Sequence, residues 1–304
     1  MDYIQQINQY QLKLNGSEYS KTTTKSYASN YKILQNVIGE DLLENVGKYA
    51  TTMKHINSII IKDKPITDNR IRDLLNAYTT LMKANKIPLR IIKKYQTTIK
   101  ELNDKQNELY KNNTLTSENQ KTNIISLQDL DDYITLLKEK EQTVHLILSM
   151  MKFTPQRVNE YAFMKLSSKE EYDGFDTTSK SLFNYVVDNG DDTYTIYYRQ
   201  YGTTKTRPKE IQPQSNEVSV LLKEYILLNT INLGDKLFNY EAPQLSTLMT
   251  RTSKKYIGRS ISSQLIRKII VSAKFNGSNT EQKSFAESIG HSVSTENAIY
   301  NKEL

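Results

Sequence analysis

The chain has 304 residues, long enough for two domains that each bury a core of their own. Its formal charge of +7 and pI of about 9.1 suit a polyanionic partner such as nucleic acid, although so modest an excess also fits a solvated basic surface with no partner. The lack of cysteine excludes disulfides and thiol chemistry, and His55, His145 and His291 are too dispersed in sequence for a zinc motif, so neither cofactor nor structural metal is expected. Residues 1–6 carry neither a basic n-region nor an apolar run, so no secretory signal is expected, and no stretch nears the roughly 18 consecutive apolar residues of a membrane span. The expectation is a soluble, intracellular protein with no membrane partner.

The first hundred residues read as helices. Tyr27, Tyr31, Leu34, Val37 and Ile38 form one apolar helical face, with hydroxyl caps available at residues 20–24 and Gly39 as a stop. Ile71, Leu74, Leu75, Tyr78, Leu81 and Met82 repeat the pattern behind Asp68 as a cap. Pro88 breaks the chain, and a third face follows with Leu89, Ile92, Tyr95, Ile99 and Leu102. Lys83, Lys86, Arg90, Lys93, Lys94 and Lys100 crowd the opposite faces. Such a run is ordinarily a solvated surface; beside a domain that handles DNA it becomes a candidate phosphate-contacting face.

Apolar residues thin out from 104 to 123, the best linker in the sequence. A helix then starts with Ser126 as cap, Asp129 completing a capping box, and Leu127, Leu130, Ile134 and Leu137 as the buried stripe. The period changes to strand-like in Phe183-Asn184-Tyr185-Val186-Val187 and Tyr194-Thr195-Ile196-Tyr197-Tyr198, parted by the turn-forming residues 188–192. Lys209-Glu210-Ile211-Gln212 reads as a short third strand, and helical patterns return from Glu217.

Four short blocks after the linker carry the chemistry. The first is Phe153-Thr154-Pro155-Gln156-Arg157-Val158-Asn159-Glu160, an arginine with an acid three residues on. The second is Tyr201-Gly202-Thr203-Thr204-Lys205-Thr206-Arg207-Pro208, between strand-like segments. The third is Ser262-Ser263-Gln264-Leu265-Ile266-Arg267-Lys268, and the fourth Ile289-Gly290-His291-Ser292, with Thr295 and Tyr300 following. Each is weak alone, and the chain holds 21 tyrosines. In order, they resemble the signature of the tyrosine recombinase (phage-integrase) family over residues 126–304.

That resemblance implies roles. Arg157 and Arg267 would grip the scissile phosphate, Glu160 would orient a neighbour, and Lys205, with Lys209 as fallback, would protonate the leaving 5′ oxygen. His291 would hydrogen-bond the phosphate and Tyr300 would attack it. Two positions depart from the family: Pro155-Gln156 replaces a usual Gly-Leu, and Gln264 replaces a usual histidine. A glutamine amide can donate to a phosphate oxygen but cannot shuttle a proton, which puts a histidine-dependent proton transfer in doubt; Lys268 would add charge. The fold implied is mostly α with a small β-hairpin or sheet (α+β): a helical core-binding-like DNA-binding domain at 1–110, a linker at 111–124, and a catalytic domain at 125–304, clamped on duplex DNA.

The function implied is site-specific recombination or integration through a 3′-phosphotyrosyl intermediate, in a mobile element or virus, without metal or ATP. A type IB topoisomerase-like swivel and a catalytically silent DNA-binding protein of the same fold are the alternatives, the second kept alive by Gln264. The partner is double-stranded DNA, and the protein acts wherever that DNA lies. With only four residues after Tyr300, the free chain is expected to be a monomer that multimerises on DNA.

Overall fold

The computed structural model describes residues 2–61, 63–111, 118–176, 183–199, 209–211 and 216–274. The chain divides into two compact units, Met1–Glu108 and Leu109–Leu304.

The first unit is helical: α1 (Tyr3–Asn15), α2 (Lys21–Ile38), α3 (Tyr49–Asn57), α4 (Asp68–Ala84) and most of α5 (Leu89–Lys111), with a two-stranded hairpin of β1 (Ile60–Ile61) and β2 (Lys64–Pro65) that the sequence pattern did not announce. Ser20 caps α2, its hydroxyl accepting from Thr23 N, as expected. The cap of α4 is Thr67 rather than Asp68: the Thr67 hydroxyl accepts from Arg70 N, and Asp68 sits inside the first turn, where its charge complements the helix dipole. The core gathers Leu34, Leu74, Leu75, Leu81 and Met82 around buried Tyr31, Tyr78 and Tyr95. Each of these phenols donates to a backbone carbonyl: Tyr31 to Ala77, Tyr78 to Leu42 at 2.7 Å and Tyr95 to Val46. The bond removes the penalty of burying a hydroxyl. Leu89, expected on the buried face of α5, is 59% exposed, because that face begins only at Ile92.

The stretch read as a linker holds helix at both ends. Helix α5 runs on to Lys111, and α6 (Glu118–Asn123) follows.

The second unit continues with α7 (Leu127–Leu137), α8 (Gln142–Phe153), α9 (Val158–Ala162), β3 (Met164–Ser168), α10 (Lys169–Gly174), β4 (Asn184–Asp188), β5 (Tyr194–Tyr198), β6 (Lys209–Ile211), α11 (Asn216–Leu228), α12 (Ala242–Ile257) and α13 (Ser263–Lys274). Ser126 and Asp129 form the expected capping box on α7. The sheet order is β3-β4-β5-β6; β3 pairs with β4 in parallel, and the other pairs are antiparallel. Strands β4, β5 and β6 match the sequence pattern closely, whereas β3 was missed because Met-Lys-Leu-Ser-Ser is too short and mixed to show a period of two. The sheet buries both faces. Met164, Leu166, Val186, Ile196 and Tyr198 join the main core, while Tyr185, Val187 and Tyr197 stack beneath Tyr172 of α10. Among the described residues no helix is long and apolar enough to cross a membrane.

Candidate DNA-cleavage site

Helix α8 must stop where it does. Pro155 has no N–H and disfavours helical backbone at the residue before it, and Thr154 is accordingly extended at φ −140°, ψ 99°. The turn is then tied from within. Tyr161 Oη donates to Thr154 O at 2.9 Å, and the N–H of Gln156 donates to Tyr161 Oη at 3.4 Å. Arg157 is the N-cap residue of α9, at the helix start that the family resemblance implied, with its side chain 35% exposed. Glu160, three residues on, is buried, and its Oε1 lies 3.7 Å from Arg157 Nη1.

The third block enters from the far end of the chain. Gly258 ends α12 in the left-handed region at φ 70°, a conformation that favours glycine. The chain then docks on the end of α6 and the residue after it: Ser260 N donates to Asn123 Oδ1 at 2.7 Å, and Arg259 Nη1 to Ile124 O at 2.5 Å. Ser262 accepts from Leu265 N at the start of α13, whose Leu265, Ile266, Ile269 and Ile270 enter the core.

Core insertion on that face carries Arg267 inward, to 3% exposure. Its Nε donates to Pro155 O at 2.7 Å, across 112 residues of sequence. The anchor carbonyl is two residues before Arg157, so the arginines of two separate blocks meet at one turn. A guanidinium held by its Nε has its plane fixed, which preorganises the rest of its donor fork. Burial pushes the Tyr161 phenol well above its ordinary range, even though the Gln156 N–H and the Arg267 charge pull it back. Tyr161 is therefore a structural hydroxyl and no ready nucleophile.

Gln264 lies on the same side of α13, one turn before Arg267 and Lys268, and is exposed. Lys268, read as extra charge for the site, is 2% exposed and donates from Nζ to Gln120 Oε1 of α6 at 2.8 Å. Lys209 opens β6 opposite Tyr198. Lys205, His291 and Tyr300 lie outside the described residues.

The sequence reading missed Asn184. Fully buried at the head of β4, it joins α9 to the end of β5 through both atoms of its amide. A polar residue of low strand propensity opening an otherwise aromatic and β-branched run was the available signal. Among the described residues no cluster of His, Cys, Asp or Glu is arranged to hold a metal ion.

No protein-family model matches the chain, and no curated protein does. Solved structures do. The Tn1549 transposon integrase, in complex with transposon right-end DNA, superposes with a TM-score of 0.52 at 12% identity, covering 100% of this chain and 96% of that one. The XerA recombinase superposes with a TM-score of 0.44 at 12% identity, covering 100% and 94%. Both are tyrosine recombinases. At this identity the likeness to the integrase is one of fold: mostly helical, with a small sheet, and tyrosine-recombinase-like.

Proposed function

We propose that this chain is a site-specific DNA recombinase or integrase that cleaves and rejoins double-stranded DNA through a 3′-phosphotyrosyl intermediate. The observation that carries the reading is the Arg267–Pro155 bond, which brings the second arginine block to the turn that presents Arg157. Two guanidinium groups issuing from one locus suit a phosphodiester, whose non-bridging oxygens gain negative charge as it is attacked.

In this mechanism the Tyr300 phenol, its ionisation favoured by the surrounding cations, gives its proton to solvent and its oxygen attacks phosphorus. The O–P bond to the tyrosine forms as the bond to the 5′ oxygen breaks. Arg157 and Arg267 hold the non-bridging oxygens, with His291 and Gln264 adding neutral donors. Lys205 gives its proton to the departing 5′ oxygen. The energy of the broken bond stays in the phosphotyrosyl link, so a 5′ hydroxyl, from the same or another duplex, can reverse the step without a nucleotide cofactor.

The first unit supplies a DNA-contacting face in this reading. No acidic residue occurs between Asp73 and Glu101. In that interval Lys83, Lys86, Arg90, Lys93, Lys94 and Lys100 are all exposed, with no ion partner among the described residues. Arg90 lies in the first turn of α5, the positive end of the helix dipole, where a cation is unfavourable, and Lys93 and Lys94 follow in the second. Helix stability does not account for them; a phosphate backbone does. The transposon origin of the Tn1549 integrase favours a mobile element as the setting.

Gln264 favours one other reading, a DNA-binding protein of this fold that no longer cleaves. A suicide substrate, whose nicked strand releases the leaving fragment, separates the two. The expected result is a covalent protein–DNA band that maps to Tyr300 and vanishes in Tyr300→Phe while DNA binding persists. A band that persisted in that variant, or no band from the native chain, would refute the proposal; relaxation of any supercoiled plasmid would redirect it to a topoisomerase.

A further inference from the structure

Between α3 and α4 the chain makes a hairpin that stands out from the core of the first unit. Its base is anchored: Ile59 is buried, Ile66 packs against the same core, and Ile66 N donates to Ile59 O at 3.0 Å. Beyond that base all four paired residues are exposed, Ile60 and Ile61 of β1 and Lys64 and Pro65 of β2. Ile60 is 69% exposed and Ile61 42%. A single apolar residue on a surface needs no explanation, but here two adjoin on a projecting ribbon.

Successive side chains of a strand point to opposite faces. The register sets Ile60 opposite Pro65 and Ile61 opposite Lys64, so each face of the ribbon carries one isoleucine. A flat partner covers only one such face, whereas a groove covers both. Strand addition by a second copy is disfavoured as well, because each strand has two residues and Pro65 has no N–H to offer. The charge around the ribbon suits a polyanion. Lys54 and His55 end α3 and Lys64 lies on β2, all exposed and without an ion partner among the described residues. Asp63 is the one acidic residue between Glu44 and Asp68.

We propose that the β1–β2 hairpin is a wedge that enters the minor groove of bound duplex DNA, with Ile60 and Ile61 against the base pairs and the flanking cations on the phosphates. This rests on the DNA-binding part of the reading above. The choice of groove follows from the side chains. None of the four paired residues carries an amide, carboxylate or guanidinium to read base edges in the major groove. Isoleucine and proline are instead among the residues that part base steps from the minor-groove side. Pyrimidine–purine steps, TA among them, yield most easily to such a wedge.

Base stacking in the bound duplex tests this. The probe is a duplex of alternating dA and dT in which scattered adenines are replaced by 2-aminopurine, whose fluorescence rises when a step unstacks. The native chain is compared with Ile60→Thr/Ile61→Thr, which keeps β-branched side chains on an exposed ribbon, and with Ile60→Leu/Ile61→Leu, which keeps a wedge. Binding by the native chain and by the leucine variant should raise the fluorescence. The threonine variant should give about a third of that rise or less at saturation and bind about 5-fold more weakly. Its salt slope should equal the native one, because an isoleucine neutralises no phosphate. Ile60→Thr alone should give an intermediate rise and decides the matter if the double variant does not fold. A saturated native complex without a rise, or a full rise from the threonine variants, would overturn the proposal. So would light scattering that found the free native chain dimeric and the threonine variant monomeric, which would assign the hairpin to a second copy. A native chain that unstacks the duplex but forms no covalent adduct on a suicide substrate would support the wedge and refute the recombinase reading; one that binds no duplex would refute both.

Discussion

Arg267→Ala is the perturbation on which the candidate site depends most. In the folded chain this guanidinium is 3% exposed and donates from Nε to Pro155 O at 2.7 Å. A hydrogen bond to a charged group contributes about 1.5–3 kcal/mol, and truncation leaves the Pro155 carbonyl without that donor. For a unit of this size each kcal/mol moves the melting temperature by about 2–4 °C, so calorimetry should find a loss of roughly 3–12 °C without any DNA present. Arg157→Ala should also melt below the native chain, because Glu160, whose side chain is 1% exposed, loses the guanidinium 3.7 Å away. On a suicide substrate the two variants should converge. In the proposed mechanism each removes a donor to charge that develops in the transition state, so each should slow covalent-adduct formation by about 10²–10³-fold, while overall DNA affinity falls only a few-fold. Equal kinetic loss with little loss of affinity is the diagnostic pattern. Native-like melting of Arg267→Ala would refute the anchor on Pro155. Losses of affinity as large as the losses of rate would make both arginines ordinary backbone contacts.

Three further outcomes are expected. Replacing Lys83, Arg90, Lys93 and Lys94 together by glutamine should flatten the salt dependence of DNA binding by about 0.9 in log–log slope for each phosphate no longer neutralised; a slope equal to the native one would mark that face as mere solvated surface. Gln264→His should keep or raise cleavage and Gln264→Ala should lower it modestly, whereas cleavage abolished by histidine but kept by alanine would show that the exposed position before Arg267 does not face phosphate. Burial, reinforced by the Lys138 charge and partly offset by Glu224 and Glu217, holds the His145 imidazole below its ordinary range. The unfolded chain therefore binds the extra proton first, and this contribution to stability is complete above about pH 6.5 and is lost as pH falls toward the folded-state value. His145→Leu should remove part of the fall in melting temperature between pH 7.5 and 5.5; an undiminished fall would assign it to other groups.

Much of this protein was determined locally and could be read without coordinates. The spacing of apolar residues marked the faces of α2, α4 and α7, and the Ser126–Asp129 box marked where α7 begins. The change of period marked β4 and β5 to within a residue, since both strands bury two faces and favour β-branched and aromatic residues. The family resemblance placed Arg157 at a helix start, a place that Pro155 suits because it ends the helix before it. These are properties of neighbours in sequence, where sterics and periodicity suffice. Only the tertiary structure decided what the polar groups bind. That Arg267 turns to Pro155, that Lys268 turns instead to Gln120 in the stretch read as linker, and that Asn184 joins Glu160 to Arg199 depend on pairings up to 148 residues apart. A buried polar atom must find a partner, but nothing local specifies which one, because the choice belongs to the packing of α13 and the sheet around the α8–α9 turn.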